Sequence, residues 1–330
     1  MTPTRDKPAT RRDEAIRTHE LSKKFGDIVA IDRVTMTIPR GSIFGFIGPS
    51  GCGKTTTMRL LLGIYQATAG VVEVLGRSPD QFTTDDRQRI GYMPQLFVMY
   101  PDLTIWENLN FAASLYGMSP RRHKRLRDML ELVELDGHEH KLARNISGGM
   151  LQRLSLAAAL VHDPELIFLD EPTAGIDPVL RNKFWEHFKQ LQSEGRTMFI
   201  TTQYVGEAAY CDYVGVMSGG RLLMVDKPGE LRRRALGGDV ITVKPARMLD
   251  FPELRDLRGQ SFVRERKVTI NSDLSLQLVV DDTGTALPAV FSWMDEHDIG
   301  VESAGEFNPP FDDVFVMLLE QERAHEESHA

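Results

Sequence analysis

The chain has 330 residues, of which 42% are hydrophobic and 26% charged, and its formal net charge is −8. This is enough apolar material for more than one domain core, and it excludes a largely disordered chain. The negative balance weighs against a nucleic-acid-binding face, which needs a concentrated basic surface, so no nucleic-acid partner is expected.

The first 15 residues are polar, lack the apolar core of a secretory signal, and read as a flexible lead-in. Two strands follow between Ile16 and Pro39, with Phe25-Gly26-Asp27 as the turn between them. Ser42 to Gly48 is a short apolar run ending in glycine, the pattern of a buried strand. Lys54 to Tyr65 has helical spacing, with Met58, Leu61 and Leu62 on one face. Ala69 to Gly76 is another strand. From about 97 to 163 helix signals dominate, and this stretch reads as a helical insertion. Its basic run from Arg121 to Arg127 fits a solvated helix face.

Glu165 to Pro172 returns to a buried strand. Asp177-Pro178 then opens a helix, with Asp177 as N-cap and proline at the first helical position. Phe184, Phe188 and Leu191 form its apolar stripe, and Gly195 is the stop. Arg196 to Thr202 is a strand, and Tyr213 to Asp226 a hairpin. The character changes after about 230. Asp239 to Pro245, Ser261 to Ser272 and Leu274 to Asp282 read as strands, and Ala286 to His297 and Asp312 to Arg323 as helices. The last nine residues read as frayed. No stretch approaches the 18 apolar residues of a membrane span. Two cysteines, Cys52 and Cys211, make no disulfide framework and fit a reducing compartment.

Three segments carry chemistry. Gly48-Pro49-Ser50-Gly51-Cys52-Gly53-Lys54-Thr55 fits the phosphate-loop pattern in full, between a strand and a helix. Glycines let backbone N–H groups curl around phosphate oxygens, and the helix offers its positive end. Lys54 reaches β- and γ-phosphates in such a loop, and the Thr55 hydroxyl holds Mg²⁺. Cys52 is a small filler here, not a nucleophile. Next, Leu166 to Asp170 is an apolar strand that delivers Asp170 and Glu171 at its C-terminal end. Asp170 suits the Mg²⁺ shell, and Glu171 suits polarising a water for attack on the γ-phosphate. Third, Ser147-Gly148-Gly149 precedes a helical pattern. Its glycines permit close approach to a ligand, and Ser147 can cap the helix and bond a phosphate.

These segments, in this order, resemble the ATP-binding subunits of ABC transporters across about residues 16 to 225. The resemblance implies an α/β P-loop NTPase fold, with an ABC nucleotide-binding domain over 16–230, a helical subdomain over about 97–163, and a smaller α+β domain over 231–330. It makes Ile146 to Met150 the signature motif and Gln95 the Q-loop glutamine, which contacts Mg²⁺ or the attacking water. Phe25 stands where the family stacks a ring on adenine, with a core phenylalanine as the alternative. Gly175 to Asp177 resembles the D-loop, which crosses between subunits. The implied nucleotide contacts are Phe25, Gly48 through Lys54, Thr55, Thr56, Ser147, Gly148, Gly149 and Asp177. The implied catalytic groups are Glu171, Gln203 and Gln95, and the implied metal contacts Thr55, Gln95 and Asp170. The substrate is ATP with Mg²⁺.

Residues 94 to 109, 146 to 153, 201 to 208 and 311 to 319 are similar to the drug- and antibiotic-export branch. There a cytoplasmic ATPase pairs with a separate membrane permease. The resemblance therefore implies a head-to-tail dimer, a permease partner and a position at the inner face of the cell membrane through that permease. Both halves of each composite site are intact in this chain, which favours a homodimer. The apolar stretch Leu96, Phe97, Val98, Met99 and Tyr100 suits a docked permease helix if exposed, and is core if buried. The second domain is a dimer-stabilising element or a regulatory ligand site.

Two positions depart from the wider family. Met150 stands where glutamine is usual, a change the export branch shares. Gln203 stands where histidine contacts the γ-phosphate; a glutamine amide donates a hydrogen bond but does not titrate. Two other functions are a non-transport ABC-type ATPase acting on a soluble macromolecular partner, and a regulatory module that binds ATP without hydrolysis. The single cassette, the lack of a heptad run and the intact Glu171 weigh against them.

Overall fold

The computed structural model describes residues 13–96 and 98–329, with side chains described to 324. Residues 1–12, Phe97 and Ala330 lie outside the described set, which places most of the expected lead-in and one residue of the apolar stretch outside it too. The chain divides into two compact units, Met1–Val225 and Asp226–Ala330.

In the first unit the elements are, in order, β1 (Glu14–Phe25), β2 (Ile28–Pro39), β3 (Ile43–Ile47), α1 (Lys54–Leu61), β4 (Ala69–Val74), α2 (Thr84–Gln88), β5 (Ile90–Met93), α3 (Ile105–Leu115), α4 (His123–Leu132), α5 (Gly148–Leu160), β6 (Leu166–Asp170), α6 (Pro178–Ser193), β7 (Thr197–Thr202), β8 (Tyr213–Ser218) and β9 (Arg221–Asp226). Two sheets organise them. Strands β2-β1-β4 form an antiparallel sheet, and a six-stranded sheet runs β5-β6-β7-β3-β8-β9. The pairs from β5 through β8 are parallel. A parallel sheet is covered on both faces, which is why β3, β6 and β7 are continuously buried rather than alternating. Phe44, Phe46, Phe168 and Phe199 pack together in this core at centroid distances of 5.3 to 6.2 Å. Each stabilises the unit by about 2–3 kcal/mol. Gly219 and Gly220, both at positive φ, make the two-residue connection between β8 and β9 expected of a hairpin.

The second unit contains α7 (Pro228–Leu236), β10 (Asp239–Pro245), α8 (Phe251–Gly259), β11 (Val268–Ile270), β12 (Leu276–Val280), α9 (Thr283–Glu296), β13 (Val301–Glu306) and α10 (Phe311–His329). Its antiparallel sheet runs β11-β12-β10-β13. Ile241, Val243, Leu276, Leu278 and Val280 on one face pack with Leu257 of α8 and Val290, Trp293 and Met294 of α9. On α10, Phe311, Val314, Phe315 and Leu318 are buried.

Several local expectations are corrected. Strand β1 begins at Glu14, so residues 14 and 15 are not a flexible lead-in. The units divide at 225/226, and α7 lies whole in the second unit. Of Ser261 to Ser272 only Val268–Ile270 is strand, because Glu265 and Arg266 take left-handed conformations (φ 50° and 58°) that end an extended run. The C-terminal helix continues to His329 instead of fraying over the last nine residues. Among the described residues no helix is long and apolar enough to cross a membrane.

Candidate functional site

The parallel register aligns the C-terminal ends of three strands. Ile47 of β3 pairs with Thr202 of β7, and Asp170 of β6 with Thr201. The loop after β3 and the carboxylates after β6 therefore emerge side by side, where open α/β sheets place their ligands.

The loop from Gly48 to Gly53 is tightly packed at its two ends, where Gly48 and Gly53 have no room for a side chain. A Cβ on Gly48 would lie 2.3 Å from the Met217 carbonyl and 2.7 Å from Cys52 Sγ. Gly53 sits at φ +109°, and a Cβ there would strike Ile31 and Met217. Cys52 is buried, and burial pushes its thiol up from the usual range, in keeping with a filler. Pro49, Ser50 and Gly51 are exposed. Lys54, only 5% exposed, donates to the carbonyls of Gly48 at 2.7 Å and Pro49 at 3.0 Å. Helix α1 starts at Lys54, so its unsatisfied N-terminal N–H groups face this loop.

Thr55 Oγ1 donates to Asp170 Oδ1 at 3.2 Å. The other oxygen, Asp170 Oδ2, is buried with no hydrogen-bond partner. A buried carboxylate oxygen without a partner is costly, and a bound cation would satisfy it. The neighbouring donors are oxygens, a hard set that fits Mg²⁺ and suits neither a soft nor an imidazole-bound metal.

Glu171 takes a left-handed backbone (φ 53°), a conformation that costs about 1–3 kcal/mol for a non-glycine residue. Its N–H is shared between the carbonyl and the hydroxyl of Thr201, both at 3.0 Å. The same hydroxyl donates to Asp170 Oδ1 at 2.5 Å. Gln95, beyond the end of β5, donates from Nε2 to Glu171 Oε2 at 3.0 Å. Gln152 of α5 is buried and donates to the Glu171 carbonyl at 3.4 Å and to the Pro172 carbonyl.

Ser147 is the N-cap of α5 and accepts from the Met150 N–H at 3.3 Å. Gly148 and Gly149 open that helix with nothing within 4 Å of where a Cβ would stand. Asp177 caps α6, accepting from Val179 and Leu180 at 3.0 Å each, and these bonds, chiefly that from Leu180, hold its carboxyl below the usual range. Gln203 is exposed directly after β7. Its neighbour Thr202 is fixed by a 2.7 Å bond to buried Glu207. Phe25 is 44% exposed, which removes the core alternative; Tyr65 meets it edge-on at 5.4 Å and Lys23 Nζ lies 4.9 Å from its ring.

One hydrogen-bonded cluster thus joins Thr55, Asp170, Glu171 and Gln95 through Thr201, and Lys54 precedes Thr55 in the chain. Ser147, Gly148, Gly149 and Asp177 have no hydrogen bond to that cluster among the described residues. Sequence reasoning missed Thr201 and Gln152. A threonine in a β-strand and a glutamine in a helix are ordinary there, and only the fold reveals what they touch.

Residues 31–174 match the sequence profile of the family described as ABC transporter. The chain is 38% identical over 224 residues to the probable multidrug ABC transporter ATP-binding protein YbhF of Escherichia coli, covering 68% of this chain and 39% of that relative's length. It is 36% identical over 255 residues to Nod factor export ATP-binding protein I of Cupriavidus metallidurans, covering 74% of this chain and 84% of the relative. A solved dimer of the ATP-binding cassette MJ0796, in a post-hydrolysis state with ADP and Pi, superposes with a TM-score of 0.60 at 26% identity, over 64% of this chain and 98% of that one.

Proposed function

The chain belongs to the ABC transporter ATP-binding family, and from that premise we propose that it binds and hydrolyses ATP as the motor subunit of an exporter with a separate membrane permease. The observation that carries this reading is the meeting of Thr55 with Asp170 and of Gln95 with Glu171 at the end of the parallel sheet. The export assignment rests on the relatives, which are named for multidrug transport and Nod factor export.

In this reading the 48–53 loop and the start of α1 cradle the phosphates with backbone N–H groups, and Lys54 turns from its loop carbonyls to the β- and γ-oxygens. Mg²⁺, held by Thr55, Asp170 and Gln95, would neutralise charge on the phosphates. Glu171 orients the attacking water and takes its proton, and Gln203 donates to the γ-phosphate. Thr201 fixes both acidic residues in position. Phe25 offers a ring to adenine.

Ser147 at the start of α5 would serve the ATP of a second copy. There its helix N-terminus adds positive potential to a γ-phosphate already held by Lys54. The nucleotide then becomes part of a head-to-tail homodimer, which binding closes and hydrolysis opens. Asp177 would lie at the crossing between the two copies.

The permease would dock where Leu96 and Val98 are 81% and 76% exposed. Val98 lines an apolar cleft of about 560 Å³ together with Tyr92, Pro94, Met99, Phe111 and Leu115. Exposed apolar surface of this kind marks a partner site. Such docking would hold the chain at the inner face of the cell membrane.

The test is ATP turnover by the purified chain beside Lys54→Ala. Turnover that needs Mg²⁺ and vanishes in the variant supports the motor reading; equal turnover in both sinks it. Copurification with a soluble protein instead of a membrane protein would favour a non-transport ATPase.

A further inference from the structure

We propose that the second unit holds a binding site for an amphiphilic anion, a carboxylate or phosphate monoester carrying an apolar body. The sheet β11-β12-β10-β13 buries one face against α8 and α9. Alternation along the strands sends Val240, Thr242, Gln277 and Val279 to the opposite face. The register seats Val240 beside Val279, and Gln277 between Thr242 and Thr269.

A cleft of about 560 Å³ opens on this face, a volume typical of small-molecule sites. Leu236, Val240, Val279 and Phe307 give it apolar walls. Arg258, Arg266 and Lys267 also line it, with Thr269 and Gln277 and with no acidic side chain. In a chain of net charge −8, a cleft whose charged lining side chains are all cationic selects for anions.

The three cations differ in what already holds them. Arg258 donates to the Val268 carbonyl at 3.3 Å, and Lys267 pairs with Glu265 at 2.8 Å. Arg266 has no ion pair or side-chain hydrogen bond among the described residues, and its guanidinium keeps all its donors for a ligand. It is held at the cleft by two consecutive left-handed residues, Glu265 and Arg266. Close by on the same face, Thr242 Oγ1 is buried without a partner. Apolar walls beside a cationic group favour a molecule that is apolar at one end and anionic at the other.

The experiment titrates the full chain with decanoate and with decyl phosphate, below micelle-forming concentrations, beside inorganic phosphate and decanol. The expected result is saturable binding of at least one long-chain anion, at least 10-fold tighter than phosphate or decanol. The double variant Arg266→Glu/Lys267→Glu should weaken it at least 10-fold. Both side chains are exposed, so the fold tolerates the change, and ATP turnover without added ligand should be unaltered. The tighter of the two anions identifies the head group. Binding of decanol as tight as the anions, of phosphate as tight as decyl phosphate, no binding of either anion, or a double variant that binds like wild type would overturn the proposal.

Discussion

Gln95 donates its side-chain amide to the Glu171 carboxylate at 3.0 Å, joining the loop after β5 to the end of β6. The next residue, Leu96, is 81% exposed. The group that touches the proposed general base is therefore adjacent in the chain to the surface proposed to meet the permease. Movement of that surface has a direct route to the carboxylate.

Replacing Gln95 by Glu sets two carboxylates against each other. Like charges at this distance raise the pKa of one of them. The acid limb of the kcat–pH profile should move upward by about one unit or more. A Gln95→Glu profile that overlies wild type would mean that the 3.0 Å contact does not persist in the working enzyme.

Thr201 is a positioning residue. Its hydroxyl binds Asp170 and the Glu171 N–H at once. Thr201→Val keeps the shape and removes both bonds. Turnover should fall about 10-fold or more, in line with misplacing a reacting group, with a much smaller change in KM. Thr201→Ser should restore most of the rate, and equal rates for Val and Ser would remove the positioning role.

Gln203 bears on pH dependence from the other side. A glutamine contributes no titration near neutrality, so the wild-type profile should lack a step from this position. Gln203→His should retain activity and gain a titration near pH 6 to 7, about the free histidine value. Without that new step, a direct γ-phosphate contact is untenable.

His162 gives a stability prediction away from the site. Its ring stacks on Tyr116 at 3.5 Å, and Nε2 meets the Ile90 carbonyl at 3.0 Å, while Nδ1 is buried without a partner. Burial pulls its pKa down to about 4; the Ile90 bond and Asp163 oppose this, and Arg125 adds to it. The unfolded chain binds this proton near pH 6.5 and the folded chain only near 4. Stability is therefore full above pH 6.5 and is lost as pH falls from there toward 4. The loss is about 2 kcal/mol, allowing for the part of the ring that solvent reaches. In denaturant titrations His162→Gln should flatten this slope, whereas an unchanged slope would assign the acid sensitivity elsewhere.

The legible parts of the sequence were those where chemistry leaves few choices. A loop that wraps phosphate needs glycine at Gly48, where any Cβ would strike a carbonyl. A strand buried on both faces is apolar along its length, as at Leu166 to Leu169, before it delivers Asp170 at its end. The two cap residues Ser147 and Asp177 were readable for the same reason, since few side chains reach back to a helix N–H.

The obscure parts were decided by neighbours far along the chain. Strand β5 is four residues long, and Gly91 sits in it because the Ala159 carbonyl crosses there. Strand β13, at the sheet edge, shows no alternation, and no residue in it is fully buried. Helix α8 buries only Leu257, too little to leave a periodic signal. The Gln95–Glu171 contact links residues 76 apart, and no local pattern encodes it.

The central claim is that Glu171 drives hydrolysis in a site completed by a second copy of the chain. Light scattering of Glu171→Gln with and without ATP, run beside ATP turnover of wild type and variant, tests it most directly. The variant should turn over ATP about 10²–10⁴-fold more slowly, the share of a general base, and accumulate as a dimer only when ATP is present. A variant that hydrolyses like wild type, or that stays monomeric at saturating ATP, would contradict it.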